Sequence, residues 1–376
     1  MEEPVQRNLT TASASASMEL PSVKELAKEG LAQVPKRYLR APSELEHPPN
    51  DNTPSSLEEV PVIDLSKLLS PQLHASELQK LDSACKEWGF FQLVNHGVDS
   101  SLVECIKKET AEFFDLPMEE KKKLWQKPED GQGFGQLFVA SEEQKLEWAD
   151  LFVIITLPEE IRAPRLFSNI PQPFRDHLNT YCLELKKLAM KIIELMAEAL
   201  NIDPKEIVEL FEKGCQSMRM NYYPPCPEAD KVIGLNPHSD ISGITILLQL
   251  NEIKGLQIRK DGKWSTVTPL PNAFIINIGD TLEVVSNGIY RSIEHRAIVN
   301  KEKERISIAT FFAAALDKTI GPVPSLVTPQ TPAVYRSIGM SDFLKRYFSR
   351  ELGGKSHLDF IRIKKEEKQE SKPIQE

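Results

Sequence analysis

The segment Asn236-Pro237-His238-Ser239-Asp240 sets an imidazole and a carboxylate two residues apart. Alternate residues of extended backbone project from one face, so His238 and Asp240 can approach one metal ion together. A third ligand stands at His295, 55 positions after Asp240, inside another strand-like run from Ile293 to Val299. Two histidines and one carboxylate on one side of a metal leave positions open for other reactants, a donor set suited to non-haem Fe(II). A histidine-x-aspartate pair alone is a common surface accident, so its meaning rests on what accompanies it.

What accompanies it is a candidate anion clamp. Arg305-Ile306-Ser307 begins ten residues past His295, and alternation puts the guanidinium and the hydroxyl on one face. That pairing suits a carboxylate, which arginine binds through two donors while a hydroxyl adds a third. Ala309 and Phe311 continue the same face, so an aromatic ring lines the same cavity. Upstream, Arg219, Asn221 and Tyr223 alternate likewise on the run leading to Pro224-Pro225. Taken singly, Arg305 reads equally as a surface ion pair and Tyr223 as core; the metal set and the clamp together argue against that.

These residues need strands to carry them. Short runs of strand character lie at Met218 to Tyr223, Ile244 to Leu250, Leu256 to Lys260, Ser265 to Thr268, Phe274 to Ile278, Ile293 to Val299 and Arg305 to Phe312, with Asp261-Gly262 and Asn287-Gly288 as tight turns. So many short strands predict a sandwich or barrel of jelly-roll kind. Before them the pattern is mixed: strands at Val60 to Leu65 and Gly89 to Val94, and helices at Pro21 to Gly30, Ser76 to Trp88 and Pro173 to Asn201. Asp203-Pro204 opens another helix and Ser341 to Gly353 a closing one. The class is α+β, a jelly-roll core flanked by helices. The division is an N-terminal arm (1–55), an N-terminal region (56–209), the core (210–316), a C-terminal helical segment (317–363) and a charged tail (364–376). Met1 to Ser17 carry almost nothing apolar and are expected to be dispensable.

Hydrophobic residues at 40% and charged residues at 27% fit an ordinary globular chain. A net charge of −9 opposes nucleic-acid binding, which needs a cationic surface. No run has the length of a membrane span. Five cysteines without CxxC spacing and no secretory leader predict free thiols in a reducing compartment, the cytosol. A monomer acting on a small molecule is the expectation.

The motifs Asn221-Tyr222-Tyr223-Pro224-Pro225-Cys226-Pro227, His238-x-Asp240, Asn277-Ile278-Gly279-Asp280, Ser286-Asn287-Gly288, His295-Arg296 and Arg305-x-Ser307 resemble those of the plant 2-oxoglutarate-dependent dioxygenases. The likeness runs from about Val60 to Leu316, and Trp88 to Gly97 is similar to that family's N-terminal region. Within it, Met218 to Tyr223 and Glu147-Trp148-Ala149-Asp150 look most like the senescence-related and codeine and thebaine O-demethylase branch. The resemblance implies a double-stranded β-helix, with Fe(II) on His238, Asp240 and His295. It implies 2-oxoglutarate on Arg305, Ser307, Tyr223 and Asn221, ascorbate as reductant, and dioxygen as oxidant. The reaction implied is hydroxylation or O-demethylation of a small specialised metabolite, alkaloid-like or phenolic, with release of succinate and carbon dioxide. Phe311, Arg219, Phe134, Phe138 and Phe152 are the candidate substrate contacts, and His96 is structural. Flavonoid enzymes of the family commonly have lysine where Arg219 stands and threonine where Ser239 stands, which counts against a flavonoid substrate, and relatives commonly have a proline-containing stretch after the position of Phe311, so the substrate does not carry over. A flavonoid or hormone oxidase of the same superfamily is the neighbouring alternative. Rival classes are a zinc hydrolase, which would need a water-activating base, and an inactive metal-binding module.

Overall fold

Period-two alternation from residue 216 onward builds two facing sheets. The computed structural model of the protein describes residues 22–31, 33–45, 59–127, 131–135, 143–349 and 356–364. Phe138, Met1 to Ser17 and nearly all of the charged tail fall outside them. In chain order the strands of the two main sheets are β1 (Val62–Asp64), β2 (Phe90–Val94), β3 (Gly133–Phe134), β4 (Asp150–Leu157), β5 (Gln216–Tyr223), β6 (Leu235–His238), β7 (Ile244–Gln249), β8 (Leu256–Lys260), β9 (Lys263–Thr266), β10 (Phe274–Ile278), β11 (His295–Ala297) and β12 (Arg305–Phe312). The larger sheet runs β1-β2-β10-β7-β12-β5-β4-β3 and the smaller β6-β11-β8-β9.

Their facing sides enclose Phe90, Leu247, Ile275 and Ala309 from the large sheet with Leu256 and Ile258 from the small one. The other side of the large sheet presents Met218, Met220, Tyr222, Ile246, Leu248, Ile276, Ile306 and Ile308 to a second core. That core is closed by helices Ser100–Phe114 and Phe174–Ala199. The latter spans 26 residues and buries Leu185, Leu188, Ile192, Leu195 and Met196, one stripe at three- and four-residue spacing. Each such side chain contributes roughly 1.5–3 kcal/mol of burial, so the helix layer holds the sheet in place.

Several elements differ from the sequence expectation. Strand β4 and helix Ser100–Phe114 had no distinctive signal. Leu151-Phe152-Val153-Ile154-Ile155 is an unbroken apolar run because both faces of the sheet are covered, and such runs hide their period. Residues before 210 pair directly with the core: β2 flanks β10, and β4 flanks β5. The arm is docked where it is described, with Ser22 capping helix Val23–Lys28 and donating to Asp150 at 2.5 Å. Tyr38 meets Trp148 edge-on with ring centroids 5.2 Å apart. Asp261-Gly262, both at positive φ, turn β8 into β9 as expected. Asn287-Gly288, also at positive φ, instead terminate helix Asp280–Val285.

Candidate active site

Strand pairing places His295 of β11 directly opposite His238 of β6, with ring centroids 4.3 Å apart. Asp240 lies two residues beyond the end of β6, so the loop, rather than strand alternation, turns its carboxylate inward. Its Oδ1 sits 3.5 Å from Nε2 of His238 and 3.7 Å from Nε2 of His295. One donor atom from each of the three buried residues falls within 4.8 Å of the others, the one such cluster among the described residues.

The surroundings fit a metal. Nδ1 of His238 lies 2.8 Å from the carbonyl of Asn236, and Nδ1 of His295 lies 3.1 Å from that of Ile293. A carbonyl only accepts, so each Nδ1 carries hydrogen and each neutral imidazole keeps its Nε2 lone pair for an ion. Burial and the neighbouring His238 push His295 down to about 4, which keeps it unprotonated. Burial pushes the Asp240 carboxyl up, but its polar surroundings, the two imidazoles and the hydrogen bond from Thr245, prevail and hold it well below its ordinary 3.8. Asp240 and His295 are thus in the protonation state a divalent ion requires.

Cross-strand register arrays the other candidates in rows on the same inner face. One row is Asn277, Thr245, Phe311 and Ser217; the next is Ile275, Leu247, Ala309, Arg219 and Val153; the third is Gln249, Ser307, Asn221 and Leu151; Arg305 and Tyr223 pair beyond it. Arg305 is 2% exposed, and no carboxylate among the described residues pairs with it. Its Nε and one Nη donate to Oε1 of Gln249 at 3.1 and 2.9 Å, and its guanidinium carbon lies 5.3 Å from the Tyr223 ring centroid. A buried cation held only by neutral groups is costly until an anion joins it. Nearby, Asn221 approaches Ser307 at 3.5 Å, while Oδ1 of Asn221 and Nε of Arg219 are buried without partners. Arg219 pairs with Glu147 at 3.5 Å, and Glu147 also accepts from the backbone of Asn236 beside the metal strand.

The proposed aromatic contacts divide. Phe311 is partly buried against the inner core that includes Phe90 and Leu247. Phe134 and Phe152 do not reach the cavity. Phe152 is opposite Met220 and Phe134 is opposite Phe152, which puts both on the helix side, within 5.1 Å of Phe113 ring to ring. Their strand neighbours Leu151 and Val153 share the face of Asn221 and Arg219 instead. Residues not singled out in the sequence include Phe90, whose ring lies 5.3 Å from that of His295, together with Gln249, Thr245 and Asn277. Asn277 belongs to a quoted motif, and alternation on β7 would have selected Thr245 and Gln249. His96 is far from this set in role, its ring lying 4.2 Å from that of Phe274. Glu294, the carboxylate next in sequence to His295, pairs with Arg259 at 3.1 Å.

A jelly roll whose interior offers two histidines, a carboxylate and a buried arginine with no carboxylate partner among the described residues fits a metal-dependent, anion-binding enzyme. Residues 214–314 match the 2OG-Fe(II) oxygenase superfamily, and residues 60–172 match the family described as non-haem dioxygenase in morphine synthesis N-terminal. The chain is 52% identical over 347 residues to oxoglutarate-dependent flavonoid 7-O-demethylase 1 of Ocimum basilicum, covering 92% of each. It is 52% identical over 352 residues to codeine O-demethylase of Papaver somniferum, covering 92% of this chain and 97% of that one. A crystal structure of JOX2 in complex with 2OG, Fe and JA superposes with a TM-score of 0.83 at 33% identity, covering 92% and 99% of the two chains. The chain belongs to the 2OG-Fe(II) oxygenase superfamily: it is an enzyme that uses Fe(II) and 2-oxoglutarate.

Proposed function

We propose that this enzyme hydroxylates or O-demethylates a small specialised metabolite, alkaloid-like or phenolic, with His238, Asp240 and His295 as the iron ligands. The observation that carries the reading is the buried, anion-free Arg305 on the same inner face that the three converging donors border. Bound Fe(II), with 2-oxoglutarate and dioxygen, supplies the oxidising power, and the co-substrate leaves as succinate and carbon dioxide. Arg305 holds the distal carboxylate of 2-oxoglutarate, with Ser307, Tyr223 and Asn221 completing the polar wall. Phe311 and Arg219, with Val153 and Leu151, line the space left for the organic substrate, and the surrounding apolar residues exclude water.

The relatives named as codeine and flavonoid demethylases support an O-methyl group as the point of attack. Hydroxylating an O-methyl carbon gives a hemiacetal that collapses to formaldehyde and a free hydroxyl, so one active site serves both outcomes. The five cysteines are all unpaired, which fits a cytosolic enzyme, and we propose that it acts as a monomer. The test is purified enzyme with Fe(II), ascorbate and 2-oxoglutarate against a panel of methoxylated flavonoids, alkaloids and hormones. Succinate and formaldehyde formed in equal amounts support demethylation; a hydroxylated product without formaldehyde narrows the reading to hydroxylation. No substrate-stimulated succinate across the panel refutes the substrate class.

A further inference from the structure

We infer that Asn277 and Thr245 are positioning residues for the metal-binding carboxylate: together they occupy Oδ2 of Asp240, so that Oδ1 alone is presented to the ion. The inference rests on the reading of His238, Asp240 and His295 as metal ligands. Nδ2 of Asn277 donates to Oδ2 at 2.7 Å and Oγ1 of Thr245 donates to the same oxygen at 2.6 Å. Both residues are buried, and they are cross-strand partners on β10 and β7. A carboxylate oxygen has two lone pairs, so these two donors saturate Oδ2. Oδ1 is the oxygen that faces both Nε2 atoms.

The direction of the neighbouring hydrogen bond follows. Oγ of Ser242 lies 3.2 Å from Oγ1 of Thr245. The single hydroxyl hydrogen of Thr245 is committed to Asp240, which can only accept, so Ser242 is the donor in that pair. The relay Ser242 to Thr245 to Asp240 therefore orients the carboxylate with neutral groups, adding no charge to the site.

The backbone is held by the same stretch of chain. The amide of Asp280 donates to the carbonyl of Asp240 at 2.6 Å, that of Gly279 to Gly243 at 2.8 Å and that of Thr281 to Ser242 at 3.2 Å, while Oγ1 of Thr281 donates to Ile241 at 2.6 Å. Gly279 permits this closeness, because a Cβ there would fall 2.0 Å from the carbonyl oxygen of Ser242. The segment Asn277 to Thr281 is thus a template against which the ligand loop is laid. A carboxylate free to turn could offer both oxygens and take a coordination position that the reactants need.

The test measures Co(II) affinity of the metal-free protein by titration, the melting temperature of that protein, and KM for 2-oxoglutarate. Thr245→Val keeps shape and removes the donor; Thr245→Ser keeps the donor. Partners of metal ligands typically contribute about 10–100-fold in affinity, so Thr245→Val and Asn277→Ala are each expected to weaken Co(II) binding by about that factor. Thr245→Ser should stay within about threefold of wild type. Should Asn277→Ala fail to fold, the two Thr245 variants decide. Wild-type Co(II) affinity in Thr245→Val, with only a lower melting temperature, would mean a purely structural hydrogen bond and overturn the proposal, as would an equal loss in Thr245→Ser. Co(II) binding that His295→Ala leaves unchanged would instead refute the metal site itself, and with it this role.

Discussion

Each inward side chain has a separable task. His238, Asp240 and His295 border a polar interior and contribute little to the apolar cores. Replacing any one by alanine should therefore abolish succinate formation while the metal-free protein still melts cooperatively. Retained turnover at limiting iron in any of the three would refute the ligand assignment. Arg305 and Phe311 lie on one face of β12 but three pairing rows apart. Arg305→Ala deprives a desolvated carboxylate of its charged partner, a loss typically on the order of 2–5 kcal/mol, and should raise the KM for 2-oxoglutarate by one or more decades. Phe311→Ala removes apolar contact alone and should change turnover of the organic substrate with 2-oxoglutarate affinity retained. Titrating 2-oxoglutarate separately from product formation distinguishes them, and equal weakening in both variants would show that the rows are misassigned.

Strands convert these tasks into geometry, because one register decides which residues look into the cavity. On β4 the inner face belongs to Leu151 and Val153 and the helix face to Phe152, which packs among Phe113, Phe134 and Met220. Phe152→Ala should act as a core truncation costing about 3–5 kcal/mol in urea unfolding, with substrate preference unchanged in the folded fraction. A shifted substrate profile without lost stability would place the ring in the pocket after all. Part of this was readable beforehand. The strands β7, β8, β10 and β12 lie where their alternation and turns predicted them, whereas β4 and helix Ser100–Phe114 did not announce themselves. An element covered on both faces has no polar side to mark its period.

At the scale of the molecule, pH acts on the histidines with opposite signs. Hydrogen bonds to the Leu68 carbonyl and to Glu198 raise His74 above its ordinary 6.5. Its stabilising contribution is present below that value and fades as pH rises through the raised pKa. His295, pushed down to about 4 by burial and by His238, does the reverse. Between about 6.5 and 4 the unfolded chain takes up a proton that the native imidazole refuses, so stability falls on acidification, by up to about 3 kcal/mol. Urea unfolding of metal-free protein at about pH 7 and about pH 5 should show about 2 kcal/mol of that loss in wild type and a smaller one in His295→Gln. Identical losses in the two would mean that His295 is not held neutral by its surroundings.

Residue type and spacing along the chain were enough to single out the residues proposed as metal donors and anion clamp and to place the jelly-roll strands, because each depends on local alternation or on a motif a few residues long. Three features depend on distant partners instead. Oδ2 of Asp240 is held by Thr245 from β7 and Asn277 from β10, and the turn inward comes from a loop laid against the stretch after β10. Phe90 reaches the ring of His295 from a strand some two hundred residues earlier, an adjacency that only the pairing of β2 with β10 creates. The choice between Phe152 and its neighbours for the pocket turned on which face the helices cover. An apolar run is compatible with either face until another element buries one of them.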